Sequence, residues 1–222
     1  MNKPVFPALA LVVALPVAAL AQDAVKTDPA HYKVLIDNAS VRVLKISYEP
    51  GSGSKMHSHP DSIVIPLVAG KTRFATPDGK TQDMELAAET ATYMPAGTHN
   101  PSNVGTTKSD AILVEFKSPK PGTAALPAAR EGLGMKVLAE GPRAIAARMT
   151  AEPTFHEPAG SKHDYDQVVI ALGNARMSLA LDGKPAKTTW ARGDVQFIGR
   201  GVAHEARNTG GAPVEFIVVS IK

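Results

Sequence analysis

Three histidines in the first half of the chain have spacing typical of a metal site. His57 and His59 stand two residues apart, and His99 follows the turn-forming residues Pro95 and Gly97. If His57 and His59 lie on a β-strand, both imidazoles point to the same face, and His99 can approach from a neighbouring strand. Three neutral imidazoles suit Fe(II), Mn(II), Zn(II), Ni(II) or Cu(II), so the pattern predicts a divalent-metal site.

The second half of the chain repeats this pattern with changes. At an offset of 104 residues His163 falls on His59, and at an offset of 105 residues His204 falls on His99. A gapless alignment at the smaller offset extends over residues 62–79 and 166–183. A period of this length indicates a duplicated domain rather than an array of short repeats.

The second set contains fewer imidazoles, because the first histidine of the pair is replaced by Ser161. His163, Gln167 and His204 form a weaker candidate metal site, since glutamine is a neutral oxygen donor. Tyr165 shares the inward strand parity expected for His163 and Gln167, and is a candidate ligand-binding residue. Two alternatives are a metal-free pocket in which these side chains bind a polar small molecule, and a barrel retained only as a structural duplicate.

The elements that must position these residues are short strands. Segments rich in Val, Ile, Leu and Phe recur between Gly, Pro, Asn and Asp, which favours an all-β sandwich or barrel. Asp-Gly pairs at 78–79 and 182–183 predict tight hairpin turns, because these residues accept the positive φ angles that such turns need. The apolar segments include Val41–Tyr48, Ile63–Val68, Ala111–Lys117, Val168–Leu172, Met177–Leu181 and Val214–Ile221.

The composition excludes several classes of function. The chain has no cysteine, so disulfides, thiolate metal ligands and cysteine nucleophiles are not available. The formal net charge is +3, but basic and acidic residues are interspersed without a basic stripe carrying aromatics, so nucleic acid is not an expected partner. Phosphate-binding loops, nucleophile elbows and H-E-x-x-H motifs are absent from the sequence.

The chain begins like a secretory signal peptide. Lys3 precedes an apolar run over residues 8–21, which ends with the small residues Ala19 and Ala21 at the −3 and −1 positions. This arrangement predicts cleavage before Gln22, and the run is short for a membrane anchor. The mature protein is therefore expected to be periplasmic or secreted, without membrane association after cleavage.

Taken together, these motifs resemble the two conserved motifs of the cupin superfamily. The resemblance rests on Gly51–His59, Pro95–Asn103 and Gly193–Asn208, and it extends over nearly all of the mature chain. It implies an all-β protein of two tandem cupin barrels, each a double-stranded β-helix or jelly roll. The expected divisions are a signal peptide at 1–21, a first barrel at 22–118, a linker at 119–134 and a second barrel at 135–222.

The first copy departs from the family pattern at one ligand. The pattern has a carboxylate four residues after the second histidine, where this chain has Ile63. Asp61 has the strand parity of His59 and is a candidate substitute. The resemblance therefore implies either a site made of His57, His59 and His99 alone or a ligand supplied from elsewhere.

Membership of this superfamily would not by itself select a function, because cupins include dioxygenases, decarboxylases, isomerases, sugar-binding modules, regulators and storage proteins. One hypothesis is a metal-dependent enzyme in which Fe, Mn, Zn or Ni keeps open coordination positions for a small oxygen-bearing substrate. The other is a non-catalytic module that captures a small molecule or a metal. A small-molecule ligand is the expected partner in both, and the family adds homodimerisation as an option.

Overall fold

The computed structural model describes residues 22–117 and 124–222, whose regular secondary structure is almost entirely β-strand. The predicted signal peptide and part of the predicted linker lie outside these ranges. A single short helix, α1 (Ala24–Thr27), precedes the strands, and the Asp23 side chain caps it by accepting a hydrogen bond from the Lys26 backbone N–H. No helix in the described ranges is long and apolar enough to cross a membrane.

The strands form two successive groups that match the two halves of the sequence. The first group is β1 (Tyr32–Asp37), β2 (Val41–Tyr48), β3 (His57–His59), β4 (Ser62–Pro66), β5 (Gly70–Ala75), β6 (Thr81–Leu86), β7 (Thr92–Met94), β8 (Gly97–Asn103) and β9 (Ser109–Phe116). The second is β10 (Leu133–Glu140), β11 (Ala144–Ala151), β12 (His156–Ser161), β13 (Asp166–Ala171), β14 (Ala175–Leu181), β15 (Lys184–Trp190), β16 (Val195–Ile198), β17 (His204–Asn208) and β18 (Val214–Ile221). Strand β10 begins inside the predicted linker.

Each group folds into a five-stranded sheet and a four-stranded sheet. The first group has the orders β1-β2-β9-β4-β7 and β3-β8-β5-β6, and the second has β10-β11-β18-β13-β16 and β12-β17-β14-β15. The two topologies are the same, as a duplication requires, and the two-sheet arrangement is that of a jelly roll. The predicted turn at Asp182 and Gly183 is confirmed by their positive φ angles of 48° and 74°.

The largest apolar core lies between the two barrels. In each five-stranded sheet, every second residue points out of its own barrel. These outward residues from the two sheets pack together as one buried cluster. Ile63 and Ile65 of β4 contribute from the first barrel, and Val168 and Ile170 of β13 contribute from the second. The intervening residues face the two barrel interiors, so inner strands such as β4, β9 and β18 are buried on both sides and read as nearly continuous apolar runs.

Ionic contacts border this shared core. Glu89, which precedes β7, accepts hydrogen bonds from Arg148 at 2.9 Å and from Arg192 at 2.7 Å, and both arginines belong to the second group of strands. Arg192 also donates to the carbonyl oxygens of Leu67 and Leu172, one on each side. These contacts fix how the two barrels sit against each other.

Candidate metal centre

The first barrel brings together the three histidines predicted from the sequence. His57 and His59 are buried at the two ends of β3, while Ser58 between them turns to the other face and hydrogen-bonds Thr98. Strand β8 runs antiparallel to β3 and places His99 directly opposite His57. One ring nitrogen from each histidine lies within 4.8 Å of the others, so the three imidazoles converge as strand geometry predicts.

The hydrogen bonds of two rings fix which nitrogen is free. The Nδ1 atom of His57 lies 2.7 Å from the Lys55 carbonyl oxygen, and the Nδ1 atom of His59 lies 2.6 Å from a Glu115 carboxylate oxygen. Both partners accept, so each Nδ1 carries the proton and each Nε2 presents a lone pair. The two Nε2 atoms are 2.9 Å apart, about the separation of two ligands at right angles on a metal with bonds of about 2.0–2.1 Å.

Glu115 anchors His59 from behind and was not predicted from the sequence. Its side chain is buried, and its second oxygen accepts a 2.5 Å hydrogen bond from Arg42, which also pairs with Asp23 at 2.5 Å. Burial pushes the pKa of Glu115 up, but the hydrogen bonds from His59 and Arg42 outweigh it and hold the pKa below its ordinary value. An acid within the otherwise apolar run of residues 111–116 on β9 was the available signal.

Two buried tyrosines complete the surroundings of His57. The Tyr32 hydroxyl lies 3.0 Å from His57 Nε2, and the Tyr48 hydroxyl donates to that of Tyr32 at 2.9 Å. Burial raises the pKa of Tyr48 to about 12 and raises that of Tyr32 as well. Both phenols therefore stay protonated near neutral pH and act as neutral hydrogen-bond donors.

The environment also keeps two of the imidazoles neutral. Burial lowers the pKa of His99 from its ordinary value to about 3, with a further contribution from His59 and His57. Burial likewise lowers the pKa of His57. Neutral imidazole is the form that binds a metal ion, so these two side chains are available as ligands at physiological pH.

Asp61 does not join this cluster, which corrects the expectation from strand parity. Its carboxylate accepts a hydrogen bond from the Tyr93 hydroxyl at 2.9 Å and one from the Ala96 backbone N–H at 2.7 Å. The alternation of side chains along β3 does not continue to Asp61, because β3 ends at His59 and β4 begins in the other sheet at Ser62. Asp61 lies in this connection and holds the turn before β8.

The second barrel has a different cluster, made by Glu157, His163 and His204. One ligand atom from each lies within 4.8 Å of the others. A Glu157 oxygen is 3.3 Å from His204 Nε2, and the other is 3.8 Å from His163 Nε2 and 2.9 Å from Arg130. The sequence predicted the two histidines but missed Glu157, because it precedes a proline in an apparently loop-like Pro/Gly-rich segment that the structure folds as β12.

Gln167 faces the interior of the second barrel but is not the counterpart of Ile63. Gln167 pairs with Ser220 across β13 and β18, as Ser62 pairs with Glu115 across β4 and β9. The gapless alignment is therefore wrong by one residue in this strand. The connection from His163 to Gln167 contains three residues, one more than the connection from His59 to the equivalent Ser62.

The extra residue in that connection accounts for the position of Tyr165. Its buried ring stacks on His163 with a centroid distance of 5.0 Å. His163 itself lies between β12 and β13 rather than on a strand. The structure thus brings Tyr165 next to the predicted site, by stacking rather than by the strand parity that the sequence suggested.

Electrostatics differ in this second cluster. Burial lowers the pKa of His204, but hydrogen bonding to Glu157 and to the Val202 carbonyl outweighs it and raises the pKa above its ordinary value. Burial raises the pKa of Glu157, yet His204 and Arg130 bring it below its ordinary value. The cluster therefore favours an ion pair between Glu157 and His204.

Each cluster opens onto a cavity inside its barrel. The first cavity has a volume of about 740 Å³ including its mouth and is lined by His59 and His99 beside Tyr32 and Phe74. The second, of about 710 Å³ including its mouth, contains His163 and His204 but has mostly apolar walls. Both volumes include open solvent at the mouth, so the enclosed part of each cavity suits only a small ligand.

No protein-family model matches this chain, and no curated protein sequence matches it. Solved structures do match. AerE from Microcystis aeruginosa is 13% identical over 86% of this chain and 97% of its own, with a TM-score of 0.62. A variant of the oxalate decarboxylase from B. subtilis is 13% identical over 85% of this chain and 71% of its own, with a TM-score of 0.61.

Two further structures extend the likeness. A cupin 2 conserved barrel domain protein from Leptotrichia buccalis is 13% identical over 86% of this chain and 88% of its own, with a TM-score of 0.58. A Bacillus subtilis oxalate decarboxylase studied for its Mn(II) centres is 13% identical over 82% of this chain and 69% of its own, with a TM-score of 0.59. At this identity the likeness concerns the fold. The fold is that of the cupin superfamily, and the two barrels in one chain make the protein bicupin-like.

Proposed function

We propose that this protein is an exported bicupin that binds one divalent metal ion in its first barrel through His57, His59 and His99. The observation that supports this most directly is the pair of Nε2 lone pairs held 2.9 Å apart by hydrogen bonds at each Nδ1. Without a cation or a proton between them these lone pairs repel, and the Tyr32 hydroxyl 3.0 Å from His57 Nε2 can donate to only one of them. Hydrogen bonds from the far nitrogen to a carbonyl or carboxylate are the usual support of histidine ligands.

The metal would serve a small oxygen-bearing molecule in the adjoining cavity. Three protein ligands leave coordination positions open, and Fe, Mn, Zn and Ni all accept imidazole. The fold is shared with an oxalate decarboxylase studied for its Mn(II) centres, which keeps Mn among these options. The bound metal would act as a Lewis acid or redox centre, for a dioxygenase, decarboxylase or isomerase reaction.

The residues around the cavity would bind and orient the substrate. Tyr32 stands beside His57 and remains a donor near neutral pH, so it can hydrogen-bond an oxygen of a bound molecule. Phe74 and Met84 line the same cavity and would exclude water from the part of the substrate that does not react.

In the second barrel, His163, Gln167 and His204 would form a weaker site together with Glu157. Arg130 already pairs with Glu157 at 2.9 Å, and a metal ion would have to compete with this cation for the carboxylate. Metal occupancy there is expected to be lower than in the first barrel for this reason.

A second candidate function is a non-catalytic periplasmic or secreted module that binds a small molecule or metal. The mostly apolar cavity walls of both barrels favour it, because such walls retain a ligand without contributing acid or base groups. Periplasmic location and the absence of a membrane partner rest on the predicted signal peptide, and homodimerisation on the fold alone.

Metal analysis of the mature protein, purified without a histidine tag or chelator, tests the main proposal. We expect about one metal per chain, lost in His57→Ala and retained in His204→Ala. A value near zero that Fe(II), Mn(II), Zn(II) and Ni(II) cannot restore would reject the metal proposal. Oxygen uptake and CO₂ release with a panel of small carboxylic acids, with His57→Ala as the control, would then separate enzyme from binding module.

A further inference from the structure

The segment that precedes the first strand packs against the strand that carries two of the three candidate ligands. The Ser58 backbone N–H donates to the Gln22 carbonyl oxygen at 2.9 Å, and Asp23 forms a parallel bridge with Ser58. Strand β3 has only three residues and lies at the edge of its sheet, where it pairs with β8. Its other side is therefore held by residues 22–28, which we call the N-terminal strap.

Buried contacts fix the strap against one side of the candidate metal centre. Ala24 of α1 is fully buried in an apolar cluster that includes Tyr32 and Tyr48, the two phenols beside the histidines. At the end of the strap, an Asp28 carboxylate oxygen lies 2.7 Å from His31 Nδ1. The His31 ring stacks on Tyr48 with a centroid distance of 4.6 Å. The strap thus supports the tyrosines of the centre from behind.

The Asp23 side chain reaches the other side of the centre through a line of charged groups. Arg42 donates to Asp23 and to Glu115 at 2.5 Å each, and the second Glu115 oxygen lies 2.6 Å from His59 Nδ1. Burial raises the pKa of Asp23, but hydrogen bonds from Arg42 and Lys26 outweigh it and bring the pKa below its ordinary value. A charged carboxylate of the strap is therefore linked to a metal-ligand candidate by hydrogen bonds between charged groups, which are the strong ones.

This line of groups also determines the charge of the centre. Histidines bind a metal in their neutral form, so the three imidazoles contribute no charge of their own. The carboxylates of Asp23 and Glu115 share the single guanidinium of Arg42, which leaves one net negative charge beside the site. Without Asp23, Arg42 would cancel the charge of Glu115. In the second barrel the segment before the first strand contributes a cation instead, because Arg130 pairs with Glu157 at 2.9 Å.

We propose that the N-terminal strap is part of the metal centre and that Asp23 is a positioning residue for His59, acting through Arg42 and Glu115. This inference rests on the metal function proposed above. Docking of the strap orients His59 and supplies the negative charge that three neutral imidazoles lack. A bound metal ion stabilises the docked strap in return, because the coupling free energy between two sites is reciprocal.

The metal affinity of a strap variant tests the proposal. Co(II), which accepts imidazole ligands, would be titrated into the mature protein and followed by its visible absorption, with His57→Ala as the baseline for the first barrel. Asp23→Asn should bind Co(II) about three- to tenfold more weakly, less than the about 10- to 100-fold effect of a group that bonds a ligand directly. Asparagine caps a helix as well as aspartate does, so α1 is kept. Asp83→Asn is the matched control, since Asp83 forms an exposed pair with Arg73 at 2.6 Å in the same barrel.

Hydrogen exchange separates this positioning role from a merely structural one. The backbone N–H groups of Thr27 and Asp28 bond to carbonyl oxygens of Asp23 and Ala24 within the strap. Co(II) should slow their exchange about three- to tenfold, the same range as the loss of affinity, because the coupling is reciprocal. The Gly79 N–H, which bonds the Thr76 carbonyl oxygen in a hairpin turn, should exchange at an unchanged rate. A strap with a structural role alone would not respond to the metal.

Two results would overturn this inference and leave the metal function intact. The first is Co(II) affinity in Asp23→Asn equal to that of the wild type and of Asp83→Asn. The second is strap exchange that Co(II) does not change, a measurement that needs no substitution and so does not depend on the folding of any variant. A wild-type protein that binds no Co(II) would instead reject the metal function, and this inference with it.

Discussion

His99 and His204 occupy equivalent positions in the two barrels, yet their pKa values shift in opposite directions. His99 lies on β8, opposite His57 of β3, and His204 lies on β17, opposite Ser161 of β12. Burial lowers the pKa of His99 to about 3. Contact with Glu157 raises that of His204 despite burial. One fold position thus holds a neutral imidazole in one barrel and an imidazole paired with a carboxylate in the other.

Other equivalent positions show the same divergence. Strand registers place Tyr48 of the first barrel at Ala151 of the second, and Glu115 at Ser220. The first barrel therefore keeps a connected polar network around its histidines, whereas the second has small side chains at these two positions. The comparison teaches that one fold can carry different polar groups at equivalent positions of its two barrels.

The largest expected effect comes from comparing two variants that each place a glutamate at one of two adjacent positions, 62 or 63. Ile63→Glu would put a charge into the apolar core between the barrels, where Ile63 is fully buried, and should cost about 5 kcal/mol or more. Ser62→Glu points into the first cavity beside His59 and His99. It should fold and bind metal about tenfold more tightly, on the scale of other changes near a metal.

Urea denaturation and metal titration of the two variants check this assignment of faces. Val64→Glu offers a further comparison, because Val64 lines the same cavity as Ser62. If Ile63→Glu folds normally and tightens metal binding, then Ile63 is the ligand position after all and the register described here is wrong.

A smaller effect is expected at Glu115, whose equivalent in the second barrel is Ser220. Glu115→Gln would remove the buried partner of Arg42, which keeps its ion pair with Asp23, and would release His59, so we expect a loss of about 3 kcal/mol in stability. Metal affinity should fall about 10- to 100-fold. Glu215→Gln is the matched control, since this acid pairs with Arg148 near the surface of the second barrel. Equal effects of the two substitutions on metal affinity would show that Glu115 does not orient His59.

The sequence predicted the fold and the histidines because both follow from local pattern. Strand alternation explains the convergence of His57 and His59, and the duplicated spacing explains the second barrel. Glu115 and Glu157 were not predicted, because Glu115 reaches His59 from the opposite sheet and Glu157 reaches His204 through the pairing of β12 with the distant strand β17. The parity argument for Asp61 failed for a related reason: the chain changes sheet between His59 and Ser62, and alternation does not continue across such a crossing.

The metal-free protein should show the contrast between the barrels as a pH dependence of stability. His99 has a folded pKa of about 3 against an ordinary value of 6.5, so between these values the unfolded state binds a proton that the folded state does not. Stability should therefore fall as the pH is lowered, by about 2–3 kcal/mol from pH 6.5 to 4.5. His204 contributes with the opposite sign, since its stabilisation is present below its ordinary pKa and is lost as the pH rises through the raised value.

Thermal denaturation of the EDTA-treated protein between pH 8 and 4.5 measures both trends. His99→Asn should flatten the acid side of the profile, and His204→Asn should change only the side above pH 6.5. An unchanged acid slope in His99→Asn would contradict the assignment of this dependence to the first barrel.

The smallest expected effect concerns Glu89 and its counterpart Gly193, at equivalent positions before β7 and β16. Both have positive φ angles, 61° for Glu89 and 82° for Gly193, and only glycine adopts this region without strain. Glu89→Ala loses the partly exposed ion pairs with Arg148 and Arg192 and keeps the strain, whereas Glu89→Gly loses the same pairs and relieves it. The glycine variant should therefore be more stable than the alanine variant by about 1 kcal/mol, as urea denaturation would show. If the alanine variant were the more stable of the two, the backbone at residue 89 would not be strained. The contacts of Glu89 with the second barrel would then carry no conformational cost.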